Sequence, residues 1–244
     1  MIPFLGQTDP FPPVDQALEE PDGLLAAGGS LATRRLVDAY RRGIFPWFNE
    51  GDPILWWSPD PRAVLRPPGV HVSRSLRKRL RQEAFAVTID RAFAHVLDGC
   101  AAPRAGEAGT WLSGAMRRAY SSLHASGLAH SIEVWMDGEL AGGLYGVAIG
   151  RMFFGESMFA RRTDASKIAM VRLAIQLDRW GFPLIDCQLE TEHLASLGAE
   201  TMPRRQFVAE VERLVKEPAA VWALDADLAG SAMHAPRALR HPEG

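Results

Sequence analysis

Cysteine is scarce in this sequence: of 244 residues only Cys100 and Cys187 carry a thiol, far apart and without C-x-x-C spacing. That count excludes a disulfide framework and a structural zinc, and it fits a reducing interior. No charge of one sign dominates either. With 27 Lys+Arg against 29 Asp+Glu the net charge is −2, so nothing global demands a nucleic acid, which leaves only a local basic patch to look for. No apolar run reaches the length of a membrane span. The opening residues, MIPFLGQTDPFPP, have no basic leader and are broken by prolines, unlike a signal peptide. His71, His95, His124, His130 and His193 show no paired spacing for a metal. The expectation is a cytoplasmic protein, off the membrane, with no metal.

What is there begins with apolar content. Hydrophobic residues make up 47% of the chain, enough for one large domain or two modest ones. The first sixty residues are rich in Pro, Gly and Trp and hold one clear helix, SLATRRLVDAYRRG, with Ser30 the candidate N-cap and Gly43 the stop. Prolines 59, 61, 67 and 68 then mark a boundary, which predicts a small N-terminal domain over 1–62 and a larger one over 63–232. In the second part VSRSLRKRLRQ and GAMRRAYSSLHASG read as helices. SIEVWMDGELAGGLYGVAIGRMFFGESMF reads as a three-stranded meander turning at Asp137-Gly138 and at Ile149-Gly150-Arg151. DASKIAMVRLAIQLDRW follows as a helix capped by Asp164 and closed by Gly181 and Pro183, then FPLIDCQ as a strand, EHLASLG as a short helix and RRQFVAEVERLVK as another. This order predicts an α/β (α+β) fold of the acetyltransferase type, a mixed sheet with its site where central strands splay. Residues after 217 carry little periodicity, and 233–244 are expected to be a flexible tail.

Three features point to chemistry. Strand side chains alternate faces, so Asp186 and Gln188 in LIDCQ share one side at the end of a strand entering the core. Glu156 sits between Phe154 and Met158, where a strand core would take an apolar residue; it needs a partner or a polar cavity, unless its strand lies at a solvent-facing edge. In RSLRKRLR, Arg74, Lys78 and Arg81 fall on one helical face with Leu76 and Leu80 opposite, and no acid interrupts 74–82. A solvated face usually mixes signs, so this stripe favours a phosphate backbone. Two glycine patterns mislead. GES lacks the closing glycine of a nucleophile elbow, and GGLYGVAIG has the wrong spacing and no following helix for a dinucleotide loop, so close strand packing explains its glycines better. Trp47, Trp56, Trp57 and Trp111 lie in Pro- and Gly-dense segments, where both crevice filling and an aromatic pocket fit them.

The motifs EPDGLLAAGGSL, AYRRGIFPWF, PILWWSPDPRAVL, GTWL, AHSIEVW, GGLYGVA, FFGESMF, DASK and LIDCQ occur in order from about residue 10 to about 210. Together they closely resemble the leucyl/phenylalanyl-tRNA–protein transferases, the bacterial aminoacyltransferases of the N-end rule. The resemblance implies a small N-terminal domain against an acetyltransferase-like (GNAT-like) domain. It implies that Leu or Phe, and less readily Met, moves from aminoacyl-tRNA to an N-terminal Arg or Lys of a protein, which is then degraded. It implies no cofactor and a monomer. Carried over by motif, the catalytic residues are Asp186, Gln188 and Glu156. The aminoacyl pocket is Trp47, Trp111, Phe153, Met158, Leu173 and Ile185, and the tRNA-binding stripe is Arg74, Lys78 and Arg81. Gln188 is expected to orient the attacking amine, Glu156 to fix Gln188, and Asp186 to act as charge partner, in contact with the incoming cationic N-terminus. Leu173 departs from the Phe of the family pattern. Arg161 and Arg162 before the DASK helix suggest a phosphate at that helix start. The alternatives are an acetyl-CoA-dependent acetyltransferase, which should carry a glycine-rich loop before Ala165, and a non-catalytic RNA-binding module, which would leave Glu156, Asp186 and Gln188 without a purpose.

Overall fold

The computed structural model describes residues 1–102, 112–231 and 234. The chain runs through β1 (Phe4–Leu5), β2 (Leu24–Gly28), α1 (Thr33–Arg41), β3 (Phe45–Pro46), β4 (Leu55–Trp57), β5 (Arg62–Leu65), α2 (Arg74–Gln82), β6 (Ala86–Ile89), α3 (Phe93–Ala101) and α4 (Gly114–Ala125). It continues with β7 (Ala129–Met136), β8 (Glu139–Ile149), β9 (Met152–Ala160), α5 (Ala165–Arg179), β10 (Leu184–Gln188), α6 (Glu192–Ala195), β11 (Glu200–Met202) and α7 (Arg204–Leu214). Strands β1–β4 form a small sheet in the order β1-β2-β4-β3. The rest form a seven-stranded mixed sheet in the order β11-β5-β10-β9-β8-β7-β6.

The meander β7–β8–β9 forms as the turn residues dictate. Asp137 and Gly138 have φ of 55° and 78°, the double positive φ of a type I′ hairpin, and Gly150 (φ 61°) takes the first loop position of the next. Gly142 on β8 admits α5 closely: a Cβ there would lie 2.6 Å from Ala165 Cβ. Helix α5 covers one face of the large sheet, packing with Leu144, Ala148 and Phe153. Helices α3 and α4 cover the other with Tyr145, Val147 and Phe154, the alternation a central sheet requires. The small sheet and α1 join that second core through Tyr40, Phe45 and Trp56.

Several expectations change. Helix α1 begins at Thr33 with Ala32 as an N-cap that makes no side-chain bond, so Ser30 does not cap it, while Gly43 (φ 73°) does end it. Asp164 stands at the N-cap of α5 but its carboxylate turns to Arg79, 3.2 Å away, instead of capping. Strands β5, β6 and β11 and helix α3 were not legible. β9 is central, so Glu156 does not lie on an edge strand. Trp56 is a fully buried β4 residue whose Nε1 donates to Gly28 O at 2.8 Å, not a loop residue. Residues 218–231 are mostly irregular yet held down. Val87 N donates to Ala229 O at 2.7 Å, Ser231 N to Phe85 O at 2.9 Å, and the Trp222 ring stacks on His130 at 3.8 Å. The expected flexible stretch 233–244 lies, His234 apart, outside the described residues. No helix among the described residues is long and apolar enough to cross a membrane.

Candidate active site

β9 and β10 pair in parallel only through Leu184↔Met152, Ile185↔Phe153 and Asp186↔Phe154, and then part. A bulge sits on each strand just beyond. On β9, Ser157 pairs with Tyr145 and Gly155 with Gly146, so Glu156 is the residue left without a ladder partner. On β10, Asp186 pairs with Val64 and Gln188 with Ala63, so Cys187 is the extra residue. Bulges re-aim side chains and end pairing. Here they bring Glu156 and Gln188 together across the split, with Gln188 Nε2 donating to Glu156 Oε1 at 3.2 Å. Gln188 takes a φ of 64°, a left-handed backbone that a non-glycine residue adopts only when its surroundings hold it there.

What holds it is Asp186. Its carboxylate is fully buried and takes Nε and Nη2 of Arg62 at 2.8 and 2.7 Å, while Oδ1 also accepts from Gln188 N at 2.8 Å. Arg62, itself 1% exposed, is sandwiched between the rings of Phe45 and Phe207, 4.7 and 4.6 Å from their centroids. The expectation that Asp186 meets an incoming cation does not fit this arrangement, because both its oxygens are taken up by Arg62 and it has no exposed surface. Arg62 was missed by the sequence reading. So were Tyr40 on α1 and Tyr120 on α4, whose hydroxyls donate to Glu156 Oε1 and Oε2 at 2.7 and 2.5 Å. Tyr145, the remaining tyrosine of the chain, meets Tyr120 edge-on at 5.1 Å. Burial pushes the Glu156 carboxyl up to about 7, against the pull of its tyrosine bonds, and the Asp186 charge adds to the rise. Burial also pushes the Cys187 thiol up, far from a reactive thiolate.

The split opens into a cleft of about 990 Å³. Of the expected aminoacyl-pocket residues, Trp47, Phe153, Met158 and Ile185 line it. Leu173 is fully buried in the core under the sheet, and Met170, one helical turn earlier on α5, holds the wall instead. Trp111 lies outside the described residues. Arg161 and Ser166 both line the cleft, whereas Arg162 turns away to Asp137 at 2.8 Å. The basic stripe forms as expected on α2. Ser73 Oγ caps it by accepting from Leu76 N at 3.2 Å, Leu76 is buried, and Arg74, Arg77, Lys78 and Arg81 are exposed. Among the described residues no group of three or more His, Cys, Asp or Glu is placed to hold a metal ion.

Residues 64–212 match the family described as leucyl/phenylalanyl-tRNA protein transferase, and residues 29–60 match that family's N-terminal domain. The chain belongs to the leucyl/phenylalanyl-tRNA–protein transferase family. Two curated family members are close in sequence. The leucyl/phenylalanyl-tRNA–protein transferase of Nitrosospira multiformis is 58% identical over 92% of this chain and 98% of its own, and that of Thiobacillus denitrificans 62% identical over 85% and 91%. Among solved structures, a GCN5-related N-acetyltransferase from Kribbella flavida is similar over 66% of this chain and 57% of its own, at 12% identity and a TM-score of 0.36. The two matched segments of this chain meet at the cleft: Trp47 comes from the N-terminal segment, and Glu156 and Gln188 from the segment 64–212.

Proposed function

We propose that this protein transfers Leu or Phe, and less readily Met, from aminoacyl-tRNA to the N-terminal Arg or Lys of acceptor proteins in the cytoplasm, acting as a monomer and marking the product for proteolysis. The observation that carries the reading is the Glu156–Gln188 contact of 3.2 Å in a cleft that also has apolar walls, in a chain of this family. The aminoacyl ester is already activated, so amide formation needs neither ATP nor metal. The acceptor α-amine, with a pKa of about 7.7, is about a tenth neutral or more at cytoplasmic pH. The remaining tasks are positioning, proton acceptance and stabilising the tetrahedral oxyanion.

Gln188 is the group we assign to orient the amine, since an amide is too weak a base to take its proton. Asp186 then acts as a positioning residue: with Arg62 it fixes the bulge and the backbone of Gln188. The acyl side chain lies against Trp47, Phe153, Met158 and Ile185. A β-branched donor is rejected by shape, at roughly 1–3 kcal/mol per misplaced methyl or methylene group. Arg74, Lys78 and Arg81 bind acceptor-stem phosphates. Arg161 and Ser166 at the start of α5 receive a phosphate near the tRNA 3′ end, where a helix N-terminus favours an anion.

The test is incubation with radiolabelled Leu-tRNA and peptides beginning with Arg or with Asp, for wild type and Gln188→Ala. Label is expected in the Arg peptide alone, and at a lower rate for the variant. Label that stays on tRNA whatever the peptide begins with would end this reading.

A further inference from the structure

Four oxygens meet just beneath the cleft, where Glu156 reaches two buried tyrosines. Glu156 Oε1 lies 2.7 Å from Tyr40 OH, Glu156 Oε2 lies 2.5 Å from Tyr120 OH, and the two hydroxyls lie 3.0 Å from each other. With Glu156 ionised, both hydroxyls donate to the carboxylate. The contact between Tyr40 and Tyr120 then brings two oxygens together with no hydrogen between them. One added proton removes that defect. The Glu156 acid, protonated on Oε2, donates to Tyr120, Tyr120 to Tyr40, and Tyr40 to Oε1, so three O–H groups close three bonds in a ring. The cluster therefore takes up a proton without orphaning a buried donor, and in releasing it keeps two charge-assisted bonds. Gln188 Nε2 occupies a second site on Oε1, which leaves one lone-pair site on Oε2. Glu156 is largely buried but keeps some exposed surface and lines the cleft, unlike the sealed Asp186.

We propose that Glu156 is the proton acceptor of the transfer reaction, with Tyr40 and Tyr120 as the hydroxyls that make room for the proton. This rests on the function proposed above and gives Glu156 a part beyond fixing Gln188. The amine nitrogen forms a bond to the ester carbonyl carbon and gives its proton to Glu156. The bond from that carbon to the ribose oxygen breaks, and the departing oxygen takes the proton back from the Glu156 acid. An amide and a free tRNA hydroxyl result, and the enzyme returns to its starting state. The ionisable groups around Glu156 are Tyr40 from α1, Tyr120 from α4, Tyr145 from β8 and Asp186 from β10, the last paired with Arg62 from β5. With its carboxyl pushed up to about 7 by burial, Glu156 is both partly ionised and appreciably basic at neutral pH, as a general base should be.

The experiment is single-turnover transfer of labelled Leu from Leu-tRNA to an Arg-initiated peptide across pH 5.5–9, for wild type, Glu156→Gln, Tyr40→Phe and Tyr120→Phe, with Leu-tRNA affinity measured alongside. Glu156→Gln should lose about a hundredfold or more in rate at unchanged affinity, and keep only the acid limb that belongs to the amine. Each tyrosine variant removes a donor that favours the charged carboxylate, so the Glu156 limb should move to higher pH. Should Glu156→Gln fail to fold, the limb shift in the tyrosine variants decides alone. A rate within about threefold of wild type in a folded Glu156→Gln, or an unshifted limb in both tyrosine variants, overturns the proposal while leaving the function intact. A wild type that moves no label at any pH overturns both.

Discussion

Breaking the Arg62–Asp186 pair should destabilise the protein more than any surface change, and the loss should be shared between the two positions. Both side chains are within 1% of complete burial and form two parallel bonds of 2.8 and 2.7 Å. Arg62→Met leaves a buried carboxylate whose remaining donor is Gln188 N–H, and removing one partner of such a pair costs about 3–5 kcal/mol. Loss of the guanidinium from between Phe45 and Phe207 adds about 1 kcal/mol or more. Asp186→Asn strands the guanidinium instead, at similar cost. In the double variant neither charge is left alone, so most of one penalty disappears and the coupling should be about 3 kcal/mol. Urea unfolding followed by tryptophan fluorescence measures all four corners of the cycle. Arg62→Lys, which keeps the charge but loses the fork, serves as a milder corner if Arg62→Met does not fold. Additive losses, with a coupling below about 0.5 kcal/mol, would refute the claim that Arg62 and Asp186 act as one unit beneath Gln188.

Two further outcomes follow from charges elsewhere. Replacing Arg74, Lys78 and Arg81 together by Gln should weaken binding of aminoacyl-tRNA and lower the steepness of its salt dependence by about 2–3, since each phosphate contact contributes roughly 0.7–0.9 to the slope; filter binding from 50 to 200 mM salt reads this, and an unchanged slope removes α2 from the interface. Glu133 is fully buried between Thr88, Ser131 and the start of α3, and burial pushes its carboxyl from 4.5 up to about 7. The folded chain therefore keeps a proton that the unfolded chain has released, so stability falls as pH rises from about 4.5 to about 7, by roughly 3 kcal/mol for this group. Glu133→Gln should remove that share of the slope in urea midpoints measured at pH 5 and pH 7.5, and an unaltered slope would show that Glu133 is ionised throughout.

What the sequence revealed of the fold depended on where turn chemistry marks the chain. Asp137-Gly138 and Gly150 announce their hairpins, and Gly181 with Pro183 closes α5, because each position demands a backbone few other residues tolerate. Strands β5, β6 and β11 have four, four and three residues. A segment that short carries no period of its own, and it is a strand only because a neighbour offers a ladder. Helix α3, in FAHVLDGCA, has only nine residues, holds a glycine near its end, and offers just His95 and Asp98 as polar marks on its open side, too few to set a helical period.

The site was half legible for a related reason. Asp186 and Gln188 drew attention because a polar pair at the end of an apolar strand is costly, and Glu156 because a carboxylate among phenylalanines is. Their partners could not be read the same way. Tyr40 and Tyr120 lie 80 residues apart on two helices and pack as ordinary core aromatics along most of their length, and only the hydroxyl tips meet. Arg62 is hidden in SPDPRAVL, where a single arginine after a proline looks like a surface residue. Strict alternation of faces holds only along an unbroken strand. With Cys187 bulged out of the ladder, position 188 takes a left-handed backbone, and neighbouring residues that alternation would treat alike acquire different surroundings: Gln188 reaches the cleft and Asp186 faces Arg62 on β5. A carboxylate at a strand end looks the same in sequence whether it awaits a substrate or holds a guanidinium. The choice is made by the strand that pairs beside it, and β5 lies more than a hundred residues earlier in the chain.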